Sequence, residues 1–254
     1  MRRDAGRRGS ASPPTLTSLG FVLGESHGCV ILFALLPTFP SGIGGAFSFE
    51  GAIVERVAVF IDYENAHRGG HGRFGGVGQP KHETVLDPLK LAERIIDNRR
   101  GGGELVGVHV FRGRPLPMFQ PEATSANDIL AVAWERDGVK VVRRDLKYIT
   151  EDDGSWRAQE KGIDVALAIG VVEAAMNEDF DTVVVFCNDT DQLPTLELVF
   201  HKLKPHVEIA CWATAKPLWF PEGLRATPPR RLPYCHFLNE DDFLACRDYR
   251  AASD

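Results

Sequence analysis

Three short stretches of this chain carry acids where chemistry is to be expected. The apolar run Val57-Ala-Val-Phe-Ile ends in Asp62-Tyr-Glu-Asn65, and the run Thr182-Val-Val-Val-Phe-Cys187 ends in Asn188-Asp-Thr-Asp191. Asp164 opens a third, helix-like apolar pattern. In open α/β sheets the binding crevice lies beyond the carboxyl ends of the strands, and the helices that follow strands begin on that side. Three separate segments therefore deliver carboxylates to one edge. Carboxylates crowded together repel one another and raise each other's pKa unless a cation neutralises them. Hard oxygen donors without His or Cys partners select Mg²⁺ or Mn²⁺. Such an ion would activate water and stabilise charge on a phosphoryl group in transfer.

The elements that must hold these acids read as alternating strands and helices. Val57–Asp62 is a continuous apolar run, as a buried parallel strand requires. His67 to Gln79 holds six glycines and is predicted as a loop. Asp87-Pro88 starts a helix, with Asp as N-cap and Pro at the first helical position, and Gly101-Gly-Gly103 lies beyond its end. A strand over Leu105–Phe111, a helix starting at Ser125 or Asn127 and a short strand over Val139–Val142 follow. Lys147 to Gln159, with Asp153-Gly154 at its centre, is predicted as a hairpin. A helix from Ile163 to about Asn177, a strand over Thr182–Cys187, a helix over Leu193–Lys204 and a strand over Val207–Cys211 complete the alternation. The Pro-rich segment 217–233 is expected to cross the surface, and Asn239-Glu-Asp-Asp to begin a last helix. The pattern implies right-handed crossovers and a three-layer α/β/α, Rossmann-like fold around a parallel sheet of about five strands.

Phe60-Ile-Asp-Tyr-Glu-Asn65, Lys161-Gly-Ile-Asp-Val-Ala-Leu-Ala168 and Cys187-Asn-Asp-Thr-Asp-Gln-Leu-Pro194 resemble the three signature segments of the NYN domain family, LabA-like proteins similar to PIN-domain ribonucleases. The resemblance covers roughly residues 56–213. It implies a PIN-like fold and metal-dependent RNA cleavage, with Asp62, Asn65, Asp164 and Asp189 as the metal shell and Asp191 close by as ligand or general base. Two positions depart from the pattern. Gly170 stands where the family usually has a second helix acid, and Gln192 replaces the usual Phe.

The strongest basic cluster is Arg143, Arg144, Lys147 and Arg157, near Tyr148 and Trp156, with Lys161 not far away. Backbone neutralisation plus stacking would suit single-stranded RNA; a solvated hairpin is the plainer account. Likewise Asp62, Asp164, Asp189 and Asp191 could each serve only as helix caps or turn acids. His67, His71 and His82 fit no metal spacing, and the glycines of 69–78 lack the order of a phosphate-binding loop.

Over 254 residues the net charge is −6, so any RNA must be held by a local patch or through cations. The five cysteines never occur as CxxC, which favours buried free thiols in a reducing cytoplasm. Residues 1–53 begin with four arginines, then a Ser/Pro/Thr stretch and the apolar run Cys29–Leu36, which is too short to span a bilayer. They read as a disordered tail or as an extension from a start codon placed too far upstream, better than as a signal peptide. The single domain is expected over 54–254, and it is expected to retain its stability and activity when the chain begins near Val54. The sequence leads to a cytoplasmic Mg²⁺/Mn²⁺-dependent endoribonuclease acting on single-stranded or structured RNA, with no membrane partner and with homo-oligomerisation left open. Two rivals use the same residues: a module that binds RNA or protein without cutting, and a metal-dependent phosphatase.

Overall fold

Asp62 closes the first strand and at once caps the first helix, so the strand-to-helix step that opens the domain is also the first piece of the site. The computed structural model describes residues 54–215 and 231–250; the expectations for residues 1–53 and for most of the Pro-rich segment lie outside them. In chain order the elements are β1 (Arg56–Asp62), α1 (Tyr63–Phe74), α2 (Pro88–Asp97), β2 (Glu104–Arg114), α3 (Pro121–Arg136), β3 (Lys140–Asp145), β4 (Lys147–Thr150) and β5 (Trp156–Gln159). There follow α4 (Ile163–Met176), β6 (Thr182–Phe186), α5 (Leu193–Lys202), β7 (His206–Trp212), β8 (Tyr234–Leu238) and α6 (Glu240–Ala245).

Six strands form one sheet in the order β3-β2-β1-β6-β7-β8, and every neighbouring pair is parallel. β4 and β5 make a separate antiparallel hairpin. Side chains of β1 alternate between two cores. Val57, Val59 and Ile61 pack with Leu91 and Ile95 of α2, Trp134 of α3 and Phe243 of α6. Ala58 and Phe60 pack with Leu167 and Val171 of α4 and Leu196 and Val199 of α5. This is the three-layer α/β/α arrangement that a strand buried on both faces demands.

Three details depart from the sequence expectation. The sheet has a sixth strand, because Tyr234-Cys-His-Phe-Leu238 pairs along β7 from Glu208 to Trp212. Five residues directly after a proline carry too weak a periodic signal to be read as a strand. The glycine-rich stretch is helical as far as Phe74. Helix propensity disfavours glycine, but Asp62 caps this helix, and Gly70 permits a close approach: a Cβ there would stand 2.6 Å from the Phe243 ring. Trp212 Nε1 also donates to the Ala66 carbonyl at 2.8 Å, fixing α1 to β7. Finally α3 begins at Pro121 rather than at Ser125 or Asn127, since proline is preorganised for the first helical position.

At the edge opposite the candidate site, buried Arg99 donates to Glu208 at 2.9 Å through both Nε and Nη2, and to Glu55 at 2.8 Å. His236 lies 2.7 Å from Glu208. Burial alone would raise the Glu208 pKa, but the His236 and Arg99 contacts outweigh it and bring it down to about 2. This network joins β7 and β8 to the turn after α2.

Candidate active site at the carboxyl edge of the sheet

The Asp62 side chain is only 3% exposed. Its Oδ1 accepts from the Asn65 backbone N–H at 3.1 Å, and its Oδ2 accepts from the Asn65 side-chain amide. Cys187, at the end of β6, donates its thiol to the same Oδ2 at 3.6 Å, and the Asp189 backbone N–H donates to that sulfur at 3.2 Å. The first and third acidic segments are thus joined through one buried thiol. Burial raises the Asp62 pKa, hydrogen bonds from Asn65 oppose this, and the charge of Asp164 raises it further. The Cys187 thiol is likewise pushed up by burial and by Asp62, so it stays protonated and donates.

Asp189 caps the 3₁₀ turn Thr190–Gln192, accepting from the Asp191 N–H at 3.0 Å. Gln192 is buried and donates from Nε2 to the Asp164 carbonyl at 3.0 Å. The residue that departs from the family pattern therefore fastens the Asp189 turn to the start of α4. Gly162, in left-handed conformation at φ 78°, turns the chain into α4 and sets Asp164 in its first turn. Burial and the charges of Asp189 and Asp191 raise the Asp164 pKa. All four aspartates singled out in the sequence are electrostatic neighbours at one edge.

Glu160 was not singled out. It leaves the β4–β5 hairpin and accepts from the Gly113 N–H at 2.6 Å. Burial, followed by the charges of Glu64, Asp62 and Asp164, raises its pKa to about 7. The only sequence signal was an acid four residues before Asp164, and the hairpin register that aims it inward is not legible there.

The site is rich in hard oxygen donors; among the described residues neither Glu160 nor any of the four aspartates forms an ion pair, whereas Glu64 pairs with Arg68 at 3.1 Å. By donor type the site fits a divalent cation. By arrangement it is open: among the described residues no group of three or more His, Cys, Asp or Glu side chains stands together as a metal-binding set. Asn65, expected as a ligand, donates from Nδ2 to Asp62, a bond that does not use its Oδ1. Gly170 cannot be replaced by the usual acid in place, because a Cβ there would stand 2.8 Å from the Phe111 ring.

The basic residues are divided. Arg143 is paired with Asp128, which also accepts from Arg114 at 2.7 Å, and Arg157 is paired with Glu151 at 2.9 Å. Arg144, Lys147 and Lys161 are exposed and form no ion pair among the described residues. Tyr148 stacks on Phe119 with ring centres 4.0 Å apart, and Trp156 packs edge-on against both. Beside Asn65 a cleft of about 350 Å³ opens between α1 and the end of β7, lined by Glu64, Arg68, Asn188 and Trp212 among others. Cys187, Cys211 and Cys246 are buried free thiols, as expected, and Cys235 is half-buried and free. No helix among the described residues is long and apolar enough to cross a membrane.

Comparison with solved structures finds a protein of unknown function, VPA0982 from Vibrio parahaemolyticus. It is 17% identical, with a TM-score of 0.41, over 64% of this chain and 85% of that one. No curated protein matches the chain. The family model of the NYN domain matches residues 56–218, which begins at β1 and contains all four aspartates. With more than half of its length matched in this way, the chain belongs to the NYN domain family.

Proposed function

We propose that this protein is a divalent-metal-dependent endoribonuclease acting at the edge formed by Asp62, Asp164, Asp189 and Asp191. The observation that carries the reading is the joining of the three acidic segments at one edge, Cys187 linking Asp62 to the Asp189 turn and Gln192 linking that turn to the start of α4. Asp62 and Asp164 both have raised pKa values, from burial first and then from neighbouring carboxylates. A cation relieves such repulsion. Mg²⁺ commonly keeps several waters and binds through only one or two carboxylates, so an open arrangement suits it. Asp62, Asp164 and Asp189 are the residues that would hold Mg²⁺ or Mn²⁺, and the ion would supply a Lewis acid and an activated water.

The chain's own residues supply the rest. Asn65 and Cys187 orient Asp62 by direct hydrogen bonds. Gln192 holds the Asp189 turn against α4. Glu160, with a pKa near neutrality, is suited to exchange a proton with a water or leaving oxygen at working pH. Arg144, Lys147 and Lys161 are the cations left for an RNA backbone, and a cytoplasmic setting agrees with the free thiols.

A second reading, RNA binding without cleavage, is favoured by Gly170, which removes the usual helix acid, and by the absence of a closed metal-binding set among the described residues. Incubation of the full chain with labelled single-stranded RNA, with Mn²⁺, Mg²⁺ or chelator, separates the two. Metal-dependent cleavage that Asp189→Asn abolishes supports the nuclease, whereas RNA binding without cleavage in either metal leaves the binding module.

A further inference from the structure

Helix α4 carries Asp164 at one end, yet its outer face has nothing to do with the acids. Of its fourteen residues only Asp164 and Glu173 are charged. Val165, Ile169 and Met176 are 61%, 60% and 65% exposed, and Val172 lies half-buried between them. These four positions are spaced four, three and four apart, the spacing of a heptad seam rather than of scattered surface residues. Beside the seam runs an apolar groove of about 570 Å³ between α4 and α5, bounded by Pro194 and Leu198. A soluble helix with an apolar face turned outward is normally covered by something.

We propose that the cover is α4 of a second copy of this chain, packed antiparallel across a twofold axis between Ile169 and Val172. A twofold interface must be self-complementary, residue i meeting j while j meets i. The spacing satisfies this condition: Val165 falls opposite Met176 of the second copy, and Ile169 opposite its Val172. The charges satisfy it too. In this register Asp164 falls opposite Asn177 and Glu173 opposite Ala168, so no carboxylate meets another. A parallel pairing would set Asp164 against Asp164 and Glu173 against Glu173, which is repulsive. The fourteen residues give a seam about 21 Å long, with Leu198, 44% exposed, at its flank. The two candidate sites then lie at opposite ends of the paired helices, open to substrate.

The test uses the full chain in sedimentation equilibrium over a range of concentrations, with register-specific charge pairs. Wild type is expected at twice the chain mass at high micromolar concentration. Ile169→Glu and Val172→Lys, each alone, should reduce it to one chain mass. The double variant Ile169→Glu, Val172→Lys should restore the dimer by placing opposite charges across the axis. Ile169→Glu combined with Met176→Lys, which does not pair in this register, should stay monomeric. Circular dichroism confirms that each variant is folded; Ile169 and Met176 are exposed, whereas Val172 is half-buried against the core between α4 and α5, so Ile169→Glu alone decides the dimer if Val172→Lys unfolds. A wild type that is monomeric at every concentration, or a dimer that survives Ile169→Glu, overturns the proposal. A dimer restored by the Met176 combination instead of the Val172 one overturns the antiparallel register.

Discussion

The ring of Phe111 on β2 lies directly against Gly170 on α4, so that a Cβ added to the glycine would stand 2.8 Å from the ring's Cζ. Phe111 is itself only 2% exposed and stacks toward Phe60, which leaves it little room to retreat. Alanine is the better helix former by about 1 kcal/mol, yet overpacking of this kind costs about 1–3 kcal/mol. Gly170→Ala is therefore expected to lower stability in urea unfolding. In the background Phe111→Leu the same change should be neutral or stabilising, and additivity of the two substitutions would refute the contact.

Removal of charge at Asp189 should leave the fold intact, because Asn preserves volume and can still accept the Asp191 N–H that Asp189 now caps. If the proposed nuclease reading holds, loss of this carboxylate should nonetheless abolish Mn²⁺-dependent cleavage of RNA. Equal cleavage rates for Asp189→Asn and wild type would remove this acid from the mechanism.

Metal binding has its own thermodynamic signature. A ligand that binds only the folded state raises its melting temperature. Millimolar Mn²⁺ should stabilise wild type more than the double variant Asp62→Asn, Asp164→Asn. Without metal the double variant should be the more stable protein, because it lacks the buried Asp62 carboxylate and the neighbouring Asp164 charge that repels it. Equal responses to Mn²⁺ in the two proteins would argue against a site built from these acids.

Glu160 gives a pH dependence of definite sign. Its pKa rises on folding from an ordinary 4.5 to about 7, through burial and the nearby charges of Glu64, Asp62 and Asp164. Between those values the folded state binds the proton more tightly than the unfolded one. The stability it contributes is complete below about 4.5 and is lost as pH rises through about 7. Wild type should lose stability over that window relative to Glu160→Gln, as measured by urea midpoints at each pH. Parallel profiles would show that Glu160 is solvated.

On the other edge of the sheet, Arg99 is the buried counter-charge for Glu208. Breaking a buried pair by removing one partner costs about 3–5 kcal/mol. Arg99→Met should fall in that range, and adding Glu208→Gln should recover part of the loss, since no uncompensated carboxylate then remains. A loss below about 1 kcal/mol in Arg99→Met would mean that the network is more hydrated than its burial indicates.

The sequence by itself determined the parallel sheet, because runs such as Val57–Ile61 and Thr182–Phe186 are apolar at every position and only a strand covered on both faces uses such a run. It determined the caps of α2 and α6, since Asp87 before Pro88, and Asn239 three residues before Asp242, are local hydrogen-bonding patterns complete within a few residues. It also placed Asp62, Asp164, Asp189 and Asp191 at one edge, because strand ends and helix starts share that edge in an α/β fold. What required contacts between distant segments was decided only by the tertiary structure. The glycines of α1 are helical because Phe243 and Trp212 close over Gly70. The sixth strand exists because β7 offers a free edge to Tyr234–Leu238. Glu160 faces the acids because the β4–β5 hairpin aims it there, with the Gly113 amide, 47 residues away in sequence, holding it in place. Gln192 and Gly170 are departures from a motif in the sequence. In three dimensions one anchors the Asp189 turn and the other is sealed by Phe111, and neither partner is near it in the chain.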